Sequence, residues 1–413
     1  MVEMSAGIRK TSVAFVVAVV MTTFSVSSVA ASPATAGFAV GTVDESVSEV
    51  KSSWTQGEMA EAAANGSPSP TPRAFSSIGA TLLSETASTG DFTPEDPTAR
   101  PYRVHGKVFF RSRGDSFSCS GTFVDSLGHN VVATAGHCLY DRAARRFVED
   151  LTFVPAWRGN ATSSEERSPF GQWPARKLVA TQDYRFSGQL GADIAFFTVS
   201  GEPSRQIGSR KIAFGLEEIG RPVTILGYPA KPEPLFDGKE MKGCSSTVVG
   251  KDNGGGVIFP AALRAVPCSM GAGSSGGGWV TAGGFLTSVV SYGYCPGVLS
   301  LCDSTFGPVL GSIAKSLYTS EGIGGSRRPS VTRASGPERI GDPRSVSFEV
   351  DGSGSTPVSN WCRLDGRRAR KCSGKVTYRG LEPGRHVFFV QSIDQTGRRS
   401  VELRRAFTVT AAR

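Results

Sequence analysis

The sequence predicts an all-β protein with two folded units. Its 413 residues exceed the roughly 200 to 250 that suit a single all-β barrel domain. Fifty glycines against six methionines, and apolar runs broken at short intervals by Gly, Pro, Asn and Asp, favour strands and turns over long helices.

The first element is a leader. Arg9 and Lys10 precede an apolar stretch from Val13 to Phe24 and then small residues, the layout of a secretory signal peptide. Val29-Ala30-Ala31 and Ala34-Thr35-Ala36 both suit a signal peptidase pocket, so residues 1–36 are expected to leave on export to the cell exterior. The apolar stretch is shorter than the roughly 20 residues that span a bilayer, which argues against a retained anchor. Residues 37–99 are rich in Ala, Ser, Thr, Pro and Gly, with Ser67-Pro68-Ser69-Pro70-Thr71-Pro72 as a low-complexity tract. No core is expected there beyond one short helix between Ser46 and Ala64, and the segment reads as a propeptide or disordered leader.

From residue 100 to 320 the texture changes. Lys107 to Phe110, Asn130 to Ala133 and Pro222 to Leu226 are strand-like runs separated by turn residues. Residues 321–340, with Gly324-Gly325-Ser326 and Pro329, resemble a linker. Residues 341–413 hold further strands, including Ser345 to Val350, His386 to Gln391 and Ala406 to Thr410, enough for a small β-sandwich.

Eight cysteines fall into four sequence-adjacent couples: Cys119 with Cys138, Cys244 with Cys268, Cys295 with Cys302, and Cys362 with Cys372. In an exported chain such couples are expected to close local disulfides. A zinc site would need Cys-x-x-Cys or paired-His spacing, neither of which occurs. No metal or cofactor is expected. The net charge of +9 resides in the C-terminal unit, where residues 321–413 carry 18 Lys and Arg against 9 Asp and Glu. Such a surface suits an anionic cell-surface polymer or simple solvation, and no specific nucleic acid is expected.

Only four histidines can supply an imidazole for acid–base chemistry. His105 precedes the first strand, His129 lies in a Gly-His-Asn turn, and His386 belongs to the C-terminal unit. His137 instead closes Thr134-Ala135-Gly136-His137-Cys138 directly after an apolar strand, where a Cys119 to Cys138 bridge would fix its backbone. A serine hydroxyl needs such an imidazole to take its proton, and the imidazole needs a carboxylate to orient it. Gly273-Ser274-Ser275-Gly276-Gly277 supplies the hydroxyl as Ser275, on a loop whose glycines let the amides of Gly273 and Ser275 point at one place as an oxyanion hole. Asp193 heads the apolar run Ile194-Ala195-Phe196-Phe197, and a carboxylate at the edge of a core needs a partner such as His137 Nδ1–H. Asp183, in a polar stretch, competes less well for that place.

The order His137, Asp193, Ser275 and the three motifs around them resemble the trypsin-like serine peptidases, particularly the secreted bacterial branch that includes glutamyl endopeptidase-like enzymes. The resemblance covers residues 101 to 320. It implies a chymotrypsin-like pair of six-stranded β-barrels with the site between them, hydrolysis of protein or peptide substrates through an acyl-enzyme, and a substrate strand laid along Ser291, Tyr292 and Gly293. Ser269, six residues before the nucleophile, would line the specificity pocket. An Asp there accompanies basic specificity, and Val290 stands where the glutamyl branch has His, so neither preference is supported. Gly278 replaces the usual Pro, and Ser274 replaces the Asp on which the zymogen switch of the family depends.

The C-terminal segment Trp361-Cys362-Arg363-Leu364-Asp365-Gly366, with Cys372, Leu381-Glu382-Pro383-Gly384-Arg385-His386 and Asp394, resembles bacterial immunoglobulin-like repeats appended to secreted proteins. That resemblance implies a spacer or adhesive module, and the chain is expected to be a monomer. Two rival functions are a catalytically silent adhesin on a peptidase fold and a serine esterase.

Overall fold

Six antiparallel strands between residues 105 and 199 close into a barrel. His105–Ser112, Asp115–Val124, Val131–Thr134, Ala195–Val199 and Trp173–Thr181 follow one another around the sheet, and Glu149–Pro155 pairs with both ends of the row. The computed structural model describes residues 37–67, 90–216, 219–252, 263–268, 270–293, 304–320, 323–341 and 345–411. Aromatic and β-branched residues suit this pleated, enclosed surface. Phe123, Phe153 and Phe197 meet inside it edge to face, with ring centroids 4.8 and 6.4 Å apart.

The second half continues the all-β fold. Among the described residues it forms a six-stranded sheet, ordered Lys211–Ile212, Phe285–Val289, Gly278–Thr281, Pro222–Gly227, Lys242–Thr247 and Gly90–Phe92, beside a four-stranded sheet of Gly250–Asp252, Leu263–Pro267, Ser304–Pro308 and Tyr292–Gly293. The helix Ser312–Thr319 then returns to the first barrel, where buried Tyr318 packs on Phe196 and Phe214 and donates its hydroxyl to the Asp125 carbonyl.

The C-terminal unit is a sandwich of a three-stranded and a five-stranded sheet. Phe348 from one stacks on Phe388 from the other at 4.0 Å between centroids. Its first strand, Ser330–Ser335, lies inside the stretch read as linker and pairs with Ser345–Ser353. The sandwich is fastened to the barrel by a bidentate Arg327 to Asp125 ion pair at 2.8 and 2.6 Å. The Gln395 side chain also bridges the Phe214 N–H and C=O.

The leader stretch folds further than its composition suggests. Phe38–Thr42 adds an antiparallel strand to Trp173–Thr181, and two helices follow instead of one, Val47–Ser52 and Gln56–Asn65. Each begins with a capping box, Ser46 with Glu49 and Thr55 with Glu58. Val50, Trp54, Met59, Ala62 and Ala63 are buried in the barrel's own core. Among the described residues no helix is long and apolar enough to cross a membrane. Disulfides join Cys119 to Cys138, Cys244 to Cys268 and Cys362 to Cys372, while Cys295 and Cys302 lie outside the described residues.

Candidate active site

Strand register brings the first two groups together. Val131–Thr134 and Ala195–Val199 run antiparallel with Thr134 opposite Ala195, so the chain just beyond Thr134 meets the chain just before Ala195. One end turns through Gly136–Cys138 and presents His137. The other turns through Leu190–Ala192 and presents Asp193.

Asp193 is fully buried and carries its charge on three donors. Its Oδ1 accepts the His137 backbone N–H at 2.8 Å, and its Oδ2 accepts His137 Nδ1–H at 2.8 Å and the Ser291 hydroxyl at 2.5 Å. A buried carboxylate is costly without such partners. The Nδ1 bond places the imidazole proton on that nitrogen and leaves Nε2 as the acceptor, and Nε2 has no hydrogen-bond partner among the described residues. Tyr184 is buried near Asp193, and burial followed by the Asp193 charge pushes its hydroxyl well above the usual tyrosine range, so it stays protonated. Asp183 starts a single π-helical turn, half-exposed, with no His partner.

Ser275 is buried and held from two sides. Its carbonyl accepts the Ser120 N–H at 2.7 Å and lies 3.8 Å from Cys138 Sγ, next to His137, while the following Gly276 N–H donates to Val290 O at 2.8 Å. Gly276 has φ +81°, and a Cβ there would stand 2.1 Å from Thr134 Oγ1 and 2.3 Å from Ser120 O, so no other residue fits. Gly273 also has positive φ, and its carbonyl accepts the Ser120 hydroxyl at 3.0 Å. Among the described residues neither the Gly273 nor the Ser275 N–H has a protein partner. Ser274 bonds back to Gly271 O and so ties its own loop.

The remaining site residues divide. Ser269 lies outside the described residues. Tyr292–Gly293 pairs with Ser304–Pro308, and Tyr292 stacks on Phe306 at 5.0 Å. Ser291 is fully buried, and its hydroxyl supports Asp193, a role its sequence context did not signal. Gly278 also has a physical account. A Cβ there would lie 2.7 Å from Leu286 and from Thr122 Oγ1, and 3.3 Å from His105, because the hydrogen-bonded His105 and Thr122 side chains fill the space a larger residue would need. The set of hydroxyl, oriented imidazole and two unpaired amides suits attack on an acyl carbon.

The trypsin-like peptidase domain family matches residues 119–288. The glutamyl endopeptidase of Bacillus licheniformis is 28% identical over 133 residues, which span 32% of this chain and 38% of that relative. Among solved structures, the thermostable serine protease AL20 from an extremophilic microorganism is 33% identical and matched over 52% of this chain and 95% of its own, with a TM-score of 0.44. The protease Anisep from Arthrobacter nicotinovorans is 30% identical over 52% and 94%, with a TM-score of 0.45.

Proposed function

The chain belongs to the trypsin-like serine peptidases, and we propose that residues 100–320 hydrolyse peptide bonds of extracellular proteins through an acyl-enzyme on Ser275. The observation that carries this reading is the buried Asp193–His137 pair, whose Nε2 is left without a partner beside the Ser275 loop. In this reading His137 Nε2 takes the Ser275 proton as Oγ attacks the scissile carbonyl. The Gly273 and Ser275 N–H groups then hold the oxyanion, and His137 returns the proton to the leaving amine. Water repeats the sequence to release the acid. The Nε2 to Oγ bond is absent from the resting structure, in keeping with catalytic hydrogen bonds that tighten only around substrate.

A fluorophosphonate probe tests this directly. The secreted, processed protein is expected to label at Ser275, located by mass spectrometry, and Ser275→Ala to label nowhere in the site. Absence of labelling in a folded wild-type protein would move the weight to a binding role on a peptidase fold. Turnover of esters without peptides would favour an esterase.

Within the same reading, residues 1–36 direct export, residues 37–99 serve as a propeptide, and the sandwich is an immunoglobulin-like module that holds the enzyme to an anionic cell-surface polymer. The outer face of the five-stranded sheet supports the last point. The Arg363 guanidinium lies 3.5 Å from the Phe389 ring centroid and that of Arg404 lies 5.3 Å from it, while Trp361 is 39% exposed in register with Lys371. Aromatic platforms edged by cations suit acidic sugars. Polygalacturonate is the probe: binding should weaken about tenfold in Arg404→Ala or Trp361→Ala and fall steeply with added salt. Salt-insensitive binding, or equal binding by both variants, would remove this role.

A further inference from the structure

The folded part of the leader ends against the catalytic loop. Its helix Gln56–Asn65 stops at Gly66, whose carbonyl accepts the Ser118 N–H at 3.0 Å, and Asn65 Nδ2 donates to Ser116 O at 3.1 Å. These contacts lie on one edge of the strand Asp115–Val124, which is left open before its pairing with Val131–Thr134 begins at Thr122. Ser120, two residues further along the same edge, donates to Ser275 O. Two residues of strand span about 7 Å, so Gly66 meets the edge one step from the nucleophile's own attachment. Gly66 also touches the catalytic loop itself. A Cβ on it would stand 3.2 Å from Gly273 N and 3.3 Å from Ala272 C, and Ser67 beyond it is buried.

The geometry therefore has two sides. Val290 and Ser291 flank the Ser275 loop on one, and the Ser116 to Ser120 edge flanks it on the other. If the acyl half of a substrate lies along Ser291–Gly293, as the proposed function has it, the leaving half must run the other way, past Gly273 toward Ser118. That path is where Gly66 and Ser67 sit. We propose that the leader segment Phe38–Ser67 is an intramolecular cover of the leaving-group side of the cleft, restraining peptide hydrolysis while leaving the nucleophile chemically competent. The inference rests on the proposed function, but its attachment is built into the fold. A strand, Trp54 with its Nε1–H on Asp150 O, and the Arg111 guanidinium shared by Ser53 O, Glu58 and Asp150 all hold the segment in place.

The test compares the intact full chain with Gly66→Val, its integrity checked by mass throughout. Gly66 has φ +66°, where a branched side chain is strained, and a Cβ there would stand 3.2 Å from Gly273 N and Ala230 Cβ, close enough to shift the contact by a few tenths of an ångström, so the substitution loosens the leader's end without replacing any residue of the catalytic half. Three readouts are needed: fluorophosphonate labelling, hydrolysis of an anilide carrying acyl-side residues alone, and hydrolysis of a peptide with the same acyl side and four residues beyond the cleaved bond. The acyl-side sequence comes from a peptide-library screen. Wild type is expected to label and to cleave the anilide. Gly66→Val should leave both within about twofold and raise peptide turnover about tenfold or more. Amide exchange at Ser118 should quicken in the same variant, since its acceptor is withdrawn. An unchanged ratio of peptide to anilide turnover together with faster Ser118 exchange would overturn the cover. A fall in both activities would make the segment a brace instead. If neither chain labels, the proposed function fails first and this inference falls with it.

Discussion

Asp193→Asn is expected to lower kcat by about 10⁴ at neutral pH while the protein stays folded. The reason is donor bookkeeping inside a sealed site. The carboxylate faces three donors, the His137 N–H, His137 Nδ1–H and the Ser291 hydroxyl, and it is fully buried, so water does not substitute for a lost partner. An asparagine offers one acceptor oxygen and one NH₂. If the oxygen keeps the His137 backbone N–H, the NH₂ faces Nδ1 and is satisfied only when the ring proton moves to Nε2. That tautomer has no lone pair for the Ser275 proton. Steady-state kinetics on an anilide substrate, with thermal unfolding as the control for folding, should show kcat falling and KM nearly constant. A loss of less than about tenfold in a folded variant would mean that another group orients His137.

The pairing of His137 with Asp193 and the tight turn that carries Ser275 were legible because each stood in a local pattern with a backbone consequence. Gly273 and Gly276 occupy positive φ, and Gly276 has no room for a Cβ, so the glycines around Ser275 announced a tight, specific turn. Asp193 was legible as an acid at the head of an apolar run, a placement that needs a partner. The closed first barrel followed from short β-branched and aromatic runs. Other features depend on contacts distant in sequence and left no local trace. Ser291 reaches Asp193 across 98 residues, and nothing beside it in the chain announces that bond. The leader's Ala, Ser and Gly composition hid its packing, since the core there is made by Trp54 and Met59 between small residues. The Ser-x-x-Glu and Thr-x-x-Glu capping boxes at Ser46 and Thr55 were the available signal for two helices. The strand Ser330–Ser335 was obscured by the Gly and Pro just before it.

The steepest expected dependence of stability on pH comes from Lys107. It lies on the strand His105–Ser112, opposite Ser120, with no exposed surface. Its ammonium reaches Gly238 O at 2.9 Å and the leader's Ala63 O at 3.4 Å, and sits 5.6 Å from the centroid of the fully buried Tyr228 ring. Burial brings its pKa down from 10.5 to about 7, with Asp237 pulling weakly the other way. In the unfolded chain the lysine keeps its proton to about 10.4, so between about 7 and 10.4 the unfolded state binds more protons and stability rises with pH. At 1.36 kcal/mol per pH unit, wild type should gain about 3 kcal/mol on Lys107→Met between about pH 6 and 9.5. The comparison is made as a difference because the buried Tyr184, Tyr228 and Tyr318 hydroxyls, all pushed up, weaken folding at still higher pH in both proteins. Denaturant midpoints across that range provide the measurement. A constant gap would mean that the amine stays charged in the folded state, and the two carbonyls, Gly238 O from the loop after the strand Pro222–Gly227 and Ala63 O from the N-terminal segment, would then have to carry a full buried charge between them.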